Sequence, residues 1–316
     1  NRPSTDMNTK LAIIDLGTNT FHLLIASCDK DEITTLYKES IPARLGASGI
    51  NQNYITEEAM QRGLDVLHTF QLKLKAFDIL PENIFAFGTS AIRNASNREE
   101  FQQKVLMETG IKVREIDGNM EAQLIYPGVR IGTQLGTEPS LIMDIGGGSV
   151  EFIIANQEQV FWKQSFEIGG QRLMEKFMTA HMLTDQNRKK LYNYLDEALI
   201  PLANAVHQYA PNKLVGAAGA FETLVDMESF FTGNDWSPKD MIDFSVPIES
   251  FYRMYSQILT ETREARMAIP GMIPLRLDMI VVAVCLIEYV LKNHHIKDIQ
   301  ISRYALKEGA LVALRT

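Results

Sequence analysis

The chain has 316 residues, 46% apolar and 22% charged, an ordinary globular composition with enough length for two cores. Its formal net charge of −8 excludes an extended nucleic-acid surface. The best apolar run, residues 277–291, carries Asp278 and Glu288 and is too short for a membrane span, so it reads as a buried helix with no membrane partner. The same acidity constrains any polyanionic substrate: it has to be gripped locally, by a few cations, backbone N–H groups and a metal ion. The arm up to Lys10 is polar with no apolar run, so no secretory leader is expected. Cys28 and Cys285 are far apart and both sit in apolar runs, which fits core thiols in a reducing, cytoplasmic setting.

An internal repeat organises the chain. The segment L-A-I-I-D-L-G-T-N-T-F-H-L-L-I-A starts at Leu11, and S-L-I-M-D-I-G-G-G-S-V-E-F-I-I-A starts at Ser140. Laying Asp15 on Asp144 puts Gly17 on Gly146, Thr20 on Ser149 and His22 on Glu151 without a gap. Each segment reads as a β-hairpin with an acidic residue leading a glycine turn.

After the first hairpin the pattern predicts a strand over 33–45 and a helix opened by Thr56 with Met60, Leu64, Leu67 and Leu74 on one face. A strand over 84–87, a helix over 98–108, a strand over 113–116 and a helix from about Met120 follow. After the second hairpin come a strand over 160–166, helices over 172–178 and 185–206, and a strand-turn-helix over 214–227. A helix over 248–262, an apolar helix from Arg276, a strand over 299–302 and a last helix complete the chain. Three strands followed by alternating helix and strand, performed twice, predict an α/β fold of two duplicated actin-like (ribonuclease-H-like) domains with an interdomain cleft. The first is expected over 1–124, joined by the C-terminal helix 303–316, and the second over 125–302. A homodimer is compatible with this plan.

The two turns carry the first chemical signal. Gly17, Thr18 and Asn19 in one, and Gly146, Gly147, Gly148 and Ser149 in the other, let the backbone approach an anion and form a nest of N–H groups for phosphate oxygens. Ser149 and Glu151 are two apart on a strand and share a face. Asp144 approaches from the opposing strand, so Asp144 and Glu151 make a hard oxygen site suited to Mg²⁺. Asp15 is the corresponding acid of the first turn and a further candidate metal ligand. In G-T-S-A-I-R (88–93), Thr89 and Ser90 open a helix beside a strand end, and Arg93 offers a bidentate phosphate donor. Glu121, in I-D-G-N-M-E-A (116–122), sits in the first turn of a helix, where a carboxylate serves as a general base or simply favours the helix dipole. The stretch V-G-A-A-G-A-F-E-T-L (215–224) joins strand to helix through small residues. The six histidines show no zinc spacing.

Taken together, D-L-G-T-N-T-F-H, G-T-S-A-I-R, G-N-M-E-A-Q-L-I, D-I-G-G-G-S-V-E and the closing I-S-R-Y-A-L-K-E-G resemble the exopolyphosphatase/guanosine pentaphosphate phosphatase family, from about Lys10 to Leu314. The resemblance implies Mg²⁺-dependent hydrolysis of the terminal phosphoanhydride of inorganic polyphosphate, or of the 5′ γ-phosphate of guanosine pentaphosphate. It implies Glu121 as the base that activates water, Asp144 and Glu151 as metal ligands, and Asn19, Arg93, Gly146, Gly147 and Ser149 as phosphate contacts. Two departures stand out: Met120 occupies a place where the family commonly has an acid, and the turn with Ala217, Ala218 and Phe221 is bulkier than the usual version. A small-molecule kinase on the same fold and a non-catalytic polyphosphate- or alarmone-binding regulator are the rival readings.

Overall fold

The computed structural model describes residues 9–29, 33–233 and 241–315; residues 1–8 of the polar arm lie outside them. The chain divides into one compact unit of Asn1–Asp117 with Ala310–Thr316, and a second of Gly118–Gly309.

The first unit is built on β1 (Thr9–Leu16), β2 (Thr20–Cys28), β3 (Ile33–Pro42), β4 (Ile84–Gly88) and β5 (Val113–Glu115), in the order β3-β2-β1-β4-β5. β1, β2 and β3 form an antiparallel meander, and β4 and β5 add parallel to β1. The connections are α1 (Glu57–Ala76), α2 (Ser90–Asn94) and α3 (Arg98–Thr109). Thr56 caps α1 through its hydroxyl, and Met60, Leu64, Leu67 and Leu74 are buried on one face, as the periodicity predicts. β3 stops at Pro42, short of the expected Leu45, where Ala43 and Arg44 turn inward to donate to the Asn19 carbonyl.

The second unit repeats this plan. β6 (Ser140–Ile145), β7 (Val150–Ala155) and β8 (Val160–Phe166) form the meander, β9 (Lys213–Ala217) and β11 (Asp298–Ser302) follow in parallel, and the order is β10-β11-β9-β6-β7-β8. Both sheets therefore share the actin-like plan expected from the sequence. The addition is β10 (Asp243–Val246), an antiparallel edge strand on β11 that the residue pattern did not announce. The helices are α4 (Gly118–Gly132), α5 (Gly170–Phe177), α6 (Asp185–Ala198), α7 (Ile200–Tyr209), α8 (Gly219–Thr232), α9 (Ile248–Thr260), α10 (Arg263–Met267), α11 (Met279–Asn293) and α12 (Leu306–Arg315). The single helix expected over 185–206 is two: it breaks at Leu199 because Pro201 is tolerated only in a helix's first turn. α11 is buried from Met279 to Leu291, and among the described residues no helix is long and apolar enough to cross a membrane. Cys285 is buried in α11, whereas Cys28, expected in a core, ends β2 half-buried.

A boundary near residue 125 differs from the observed division. α4 packs on β7 and β8, and its backbone touches α12, since a Cβ at Gly309 would lie 1.6 Å from the Leu124 carbonyl oxygen and one at Gly128 2.0 Å from that of Ala305. Those close approaches fix α4, and with it Glu121, in the second unit.

Gly216 on β9 has an equally strict role, because a Cβ there would lie 2.1 Å from the ring of fully buried Phe221. Gly216→Ala should lower stability by about 1–3 kcal/mol, the usual scale of overpacking, read as a lower urea midpoint; an unchanged midpoint would show that the ring moves freely.

Candidate functional site

In each unit the singled-out residues collect at the carboxyl ends of parallel strands, the edge where open α/β sheets bind ligands. In the first unit Leu16 of β1 pairs with Gly88 of β4, which pairs with Glu115 of β5. This aligns the 17–19 turn, Thr89 and Ser90, and the segment after β5. Thr18, Asn19, Thr89 and Ser90 are buried. The Thr18 and Asn19 carbonyls are tied down by the N–H groups of Gly46, Ala43 and Arg44. Arg93 is not simply a surface cation: it donates to the Ile116 carbonyl at 3.1 Å and braces the end of β5.

In the second unit the corresponding edge carries the 146–149 turn after β6, Ala218 and Gly219 after β9, and the segment from Arg303 after β11. The hairpin turn closes with the Gly146 N–H donating to the Ser149 carbonyl at 3.0 Å. The carbonyls of Gly146, Gly147 and Gly148 all accept from the start of α5: from Gly170 at 2.9 Å, Gln171 at 2.8 Å and Gly169 at 3.1 Å. Arg172 adds a bond from Nε to the Gly148 carbonyl and pairs with Glu167. Gly169 must be glycine, since a Cβ there would lie 2.4 Å from the Gly147 carbonyl carbon. With the carbonyls committed to α5, what the turn can offer an anion is its amides. The sequence reading missed this clamp; its signal is the second glycine pair, Gly169–Gly170, three residues after β8.

The carboxylates converge on the same turn. Asp144 on β6 and Glu151 on β7 are direct cross-strand partners, and Glu151 in turn faces Ser165 on β8. Ser165 donates to Glu151 Oε1 at 2.6 Å, and Ser149 hydrogen-bonds the same carboxylate. Glu121 in the first turn of α4, Asp144 and Glu151 are 7%, 8% and 1% exposed. Burial, then the neighbouring Glu121, pushes the Asp144 carboxyl up to about 7, with Lys307 opposing. Burial, then Glu121 and Asp144, pushes Glu151 well above the ordinary carboxylate range, against the hydrogen bonds from the two serines. These are hard oxygen donors in need of a countercharge, and they fit a divalent cation. Among the described residues no group of three or more His, Cys, Asp or Glu side chains is placed to hold a metal ion alone. A cation here would complete its shell with water and ligand oxygens, which is the habit of Mg²⁺.

Beside the turn lies a pocket of about 290 Å³ including its open mouth, lined by Gly146, Gly147, Gly170, Ala220, Arg276 and Met279 among others. Burial lowers the Arg276 pKa, and its guanidinium lies so close to Gly219 that a Cβ there would be 1.6 Å from Nη2. Phe221, expected to crowd this turn, is buried beneath β9 instead. Ala218 holds φ 68°, a backbone state that favours glycine.

The repeat extends one residue further than the hairpins. Asp15 faces His22, and His22 faces Ser40, with Nδ1 and Oγ 2.7 Å apart. The structure thus assembles Glu121, Asp144, Ser149 and Glu151 around one turn, and sets Asp15 opposite an imidazole rather than a second acid.

Two α/β units on the actin-like plan, each with a glycine turn leading out of its first strand, define the class of protein. Residues 24–315 match the model of the Ppx/GppA phosphatase family, and the chain belongs to that family. A crystal structure of an exopolyphosphatase from Cytophaga hutchinsonii superposes with a TM-score of 0.93 at 42% identity, covering 97% of this chain and 98% of that one. A family member from Aquifex aeolicus shares the fold, with a TM-score of 0.77 at 21% identity over 98% of each chain. A guanosine-5′-triphosphate,3′-diphosphate pyrophosphatase from Photobacterium profundum is 30% identical over 298 residues, which is 94% of this chain and 58% of that protein. The chain thus spans a little over half the length of that curated relative.

The raised Asp144 pKa carries a stability consequence. The folded state holds this proton more tightly than the unfolded chain, so the stabilisation is complete below about pH 4 and is lost as pH rises through about 7. In metal-free buffer Asp144→Asn should flatten that loss and stabilise the protein at pH 8 by on the order of 1–4 kcal/mol. Urea denaturation at pH 5 and pH 8 checks it: a variant less stable than the parent at pH 8 contradicts the assignment.

Proposed function

We propose that this protein hydrolyses the terminal phosphoanhydride bond of inorganic polyphosphate and releases orthophosphate. The observation that carries the reading is the burial of Glu121, Asp144 and Glu151 together beside a glycine turn whose carbonyls are all bound by α5. The amides of Gly147, Gly148 and Ser149 bind oxygens of the terminal phosphoryl group, while the Ser149 hydroxyl stays on Glu151. Gly17, Thr18, Asn19, Thr89, Ser90 and Arg93 are assigned to phosphate contact on their likeness to the second turn and their place at a sheet's carboxyl edge. Asp144 and Glu151 would hold a divalent cation, Mg²⁺ by the chemistry of the donor set; when bound it supplies positive charge to the phosphate oxygens. Glu121, buried beside the turn, accepts a proton from the attacking water. The water attacks phosphorus in line, the bridging P–O bond breaks, and the shortened chain leaves with the electron pair.

Polyphosphate is favoured over guanosine pentaphosphate because repeated phosphate contacts satisfy it, whereas among the described residues no aromatic ring lines the pocket beside the turn to stack on a base. The similarity to a solved exopolyphosphatase points the same way. Phosphate release from long-chain polyphosphate, guanosine pentaphosphate and ATP, at matched Mg²⁺ and salt, tests the assignment. Polyphosphate should give the highest specificity constant. A higher constant for guanosine pentaphosphate reverses the substrate choice and keeps the catalytic roles. ADP formation that requires an added acceptor would identify a kinase.

Glu121→Gln should retain substrate binding and lose at least about a hundredfold in turnover, the scale of a lost general base. Steady-state rates at saturating polyphosphate check this, and near-parental turnover removes Glu121 from the mechanism. Glu151→Gln should raise the Mg²⁺ concentration at half-maximal rate; an unchanged requirement places the cation elsewhere.

A further inference from the structure

Ser165 has no role in the reading above, yet it occupies the junction between the proposed cation ligand and the helix that carries the proposed base. It sits directly opposite Glu151 on β8 and donates to Glu151 Oε1 at 2.6 Å. On its other side it meets Gly118, the first residue of α4: a Cβ at Gly118 would lie 2.4 Å from Ser165 Cβ and 2.7 Å from Ser165 Oγ. Three residues further along α4 stands Glu121.

We propose that Ser165 is a positioning residue: its hydroxyl fixes the rotamer of Glu151, and its contact with Gly118 locks that carboxylate and the first turn of α4 into one rigid seat for a divalent cation. The inference rests on Glu151 being a cation ligand. A buried carboxylate without fixed donors turns to whichever polar neighbour is nearest, and Ser165 holds Oε1 in one place alongside the Ser149 hydrogen bond. The contact with Gly118 leaves no slack, since the glycine has no side chain and the serine occupies the space one would take. Ser40 holds the same place opposite His22 in the first unit, so the serine is a feature of the repeat, put to use on a carboxylate in the second copy alone.

Mn²⁺ binding to the protein, followed by the loss of the free-ion paramagnetic resonance signal, tests this without reference to turnover. Ser165→Ala should raise the Mn²⁺ dissociation constant about tenfold, the low end for loss of a group that orients a ligand, with circular dichroism unchanged. Gly118→Ala should weaken binding in the same direction by pushing Ser165 off Glu151. The double variant should be no weaker than Ser165→Ala, because both act through one hydroxyl. Parental Mn²⁺ affinity in Ser165→Ala overturns the proposal while Glu151→Gln is impaired. Additive losses in the double variant overturn the shared seat. Parental affinity in Glu151→Gln removes the cation assignment itself, and the positioning role falls with it.

Discussion

Three carboxylates buried side by side are the constraint around which the second unit is arranged. Removing one ionised group from water is costly, and packing like charges together raises that cost. The position of each carboxylate is therefore fixed by structure that is stable on its own account. Asp144 and Glu151 are held by the hydrogen-bond register of two fully buried strands, and Glu121 by a helix whose Gly128 lies against the backbone of Ala305 and Gly309. A one-residue slip in the β6–β7 register would send Glu151 to the opposite face of the sheet, so the pairing that sets the register also fixes the chemistry.

The glycine turn shows a second economy of the same kind. Its carbonyls are satisfied by the amides at the start of α5, which solves the problem of orphan N–H groups at a helix start and that of anchoring a flexible turn together. What is left on the other side is a set of amides fixed in direction. A glycine turn free in solution loses that order, and an anion would have to supply the ordering free energy on binding.

Comparison of the two copies shows how a duplicated scaffold diverges by side chain alone. Asp15, His22 and Ser40 line up across β1, β2 and β3 as Asp144, Glu151 and Ser165 do across β6, β7 and β8. Gly17 and Gly146 meet the carbonyl oxygens of Thr20 and Ser149 at nearly the same distance from a would-be Cβ, 2.7 and 3.0 Å. The backbone solution is shared, while an imidazole replaces the acid in one copy. The paired acids, and the proton affinity they generate, belong to the second unit.

The repeat of D-x-G with strand-like flanks determined the hairpins, their alignment and the actin-like plan of both sheets, because period-two apolar runs and glycine turns are local properties of a chain. It also marked Asp144 and Glu151 and their meeting across the hairpin, and the I-D-G-N-M-E-A stretch marked Glu121, though not that Glu121 joins them; that depends on α4 packing against β7 and β8, with Gly128 and Gly309 allowing two backbones into contact. The clamp by Gly169 and Gly170, the bracing of β5 by Arg93 and the seat formed by Ser165 were invisible for the same reason. Each is a contact between segments whose residue types are ordinary in isolation, and only tertiary packing brings a serine hydroxyl to a buried carboxylate or an amide to a turn carbonyl. The β10 edge strand was missed because four residues with one exposed position carry too little alternation to stand out, and it exists by pairing with β11. What the chain encodes locally is where it turns and which face it buries; which charges must share that burial is decided when the elements pack.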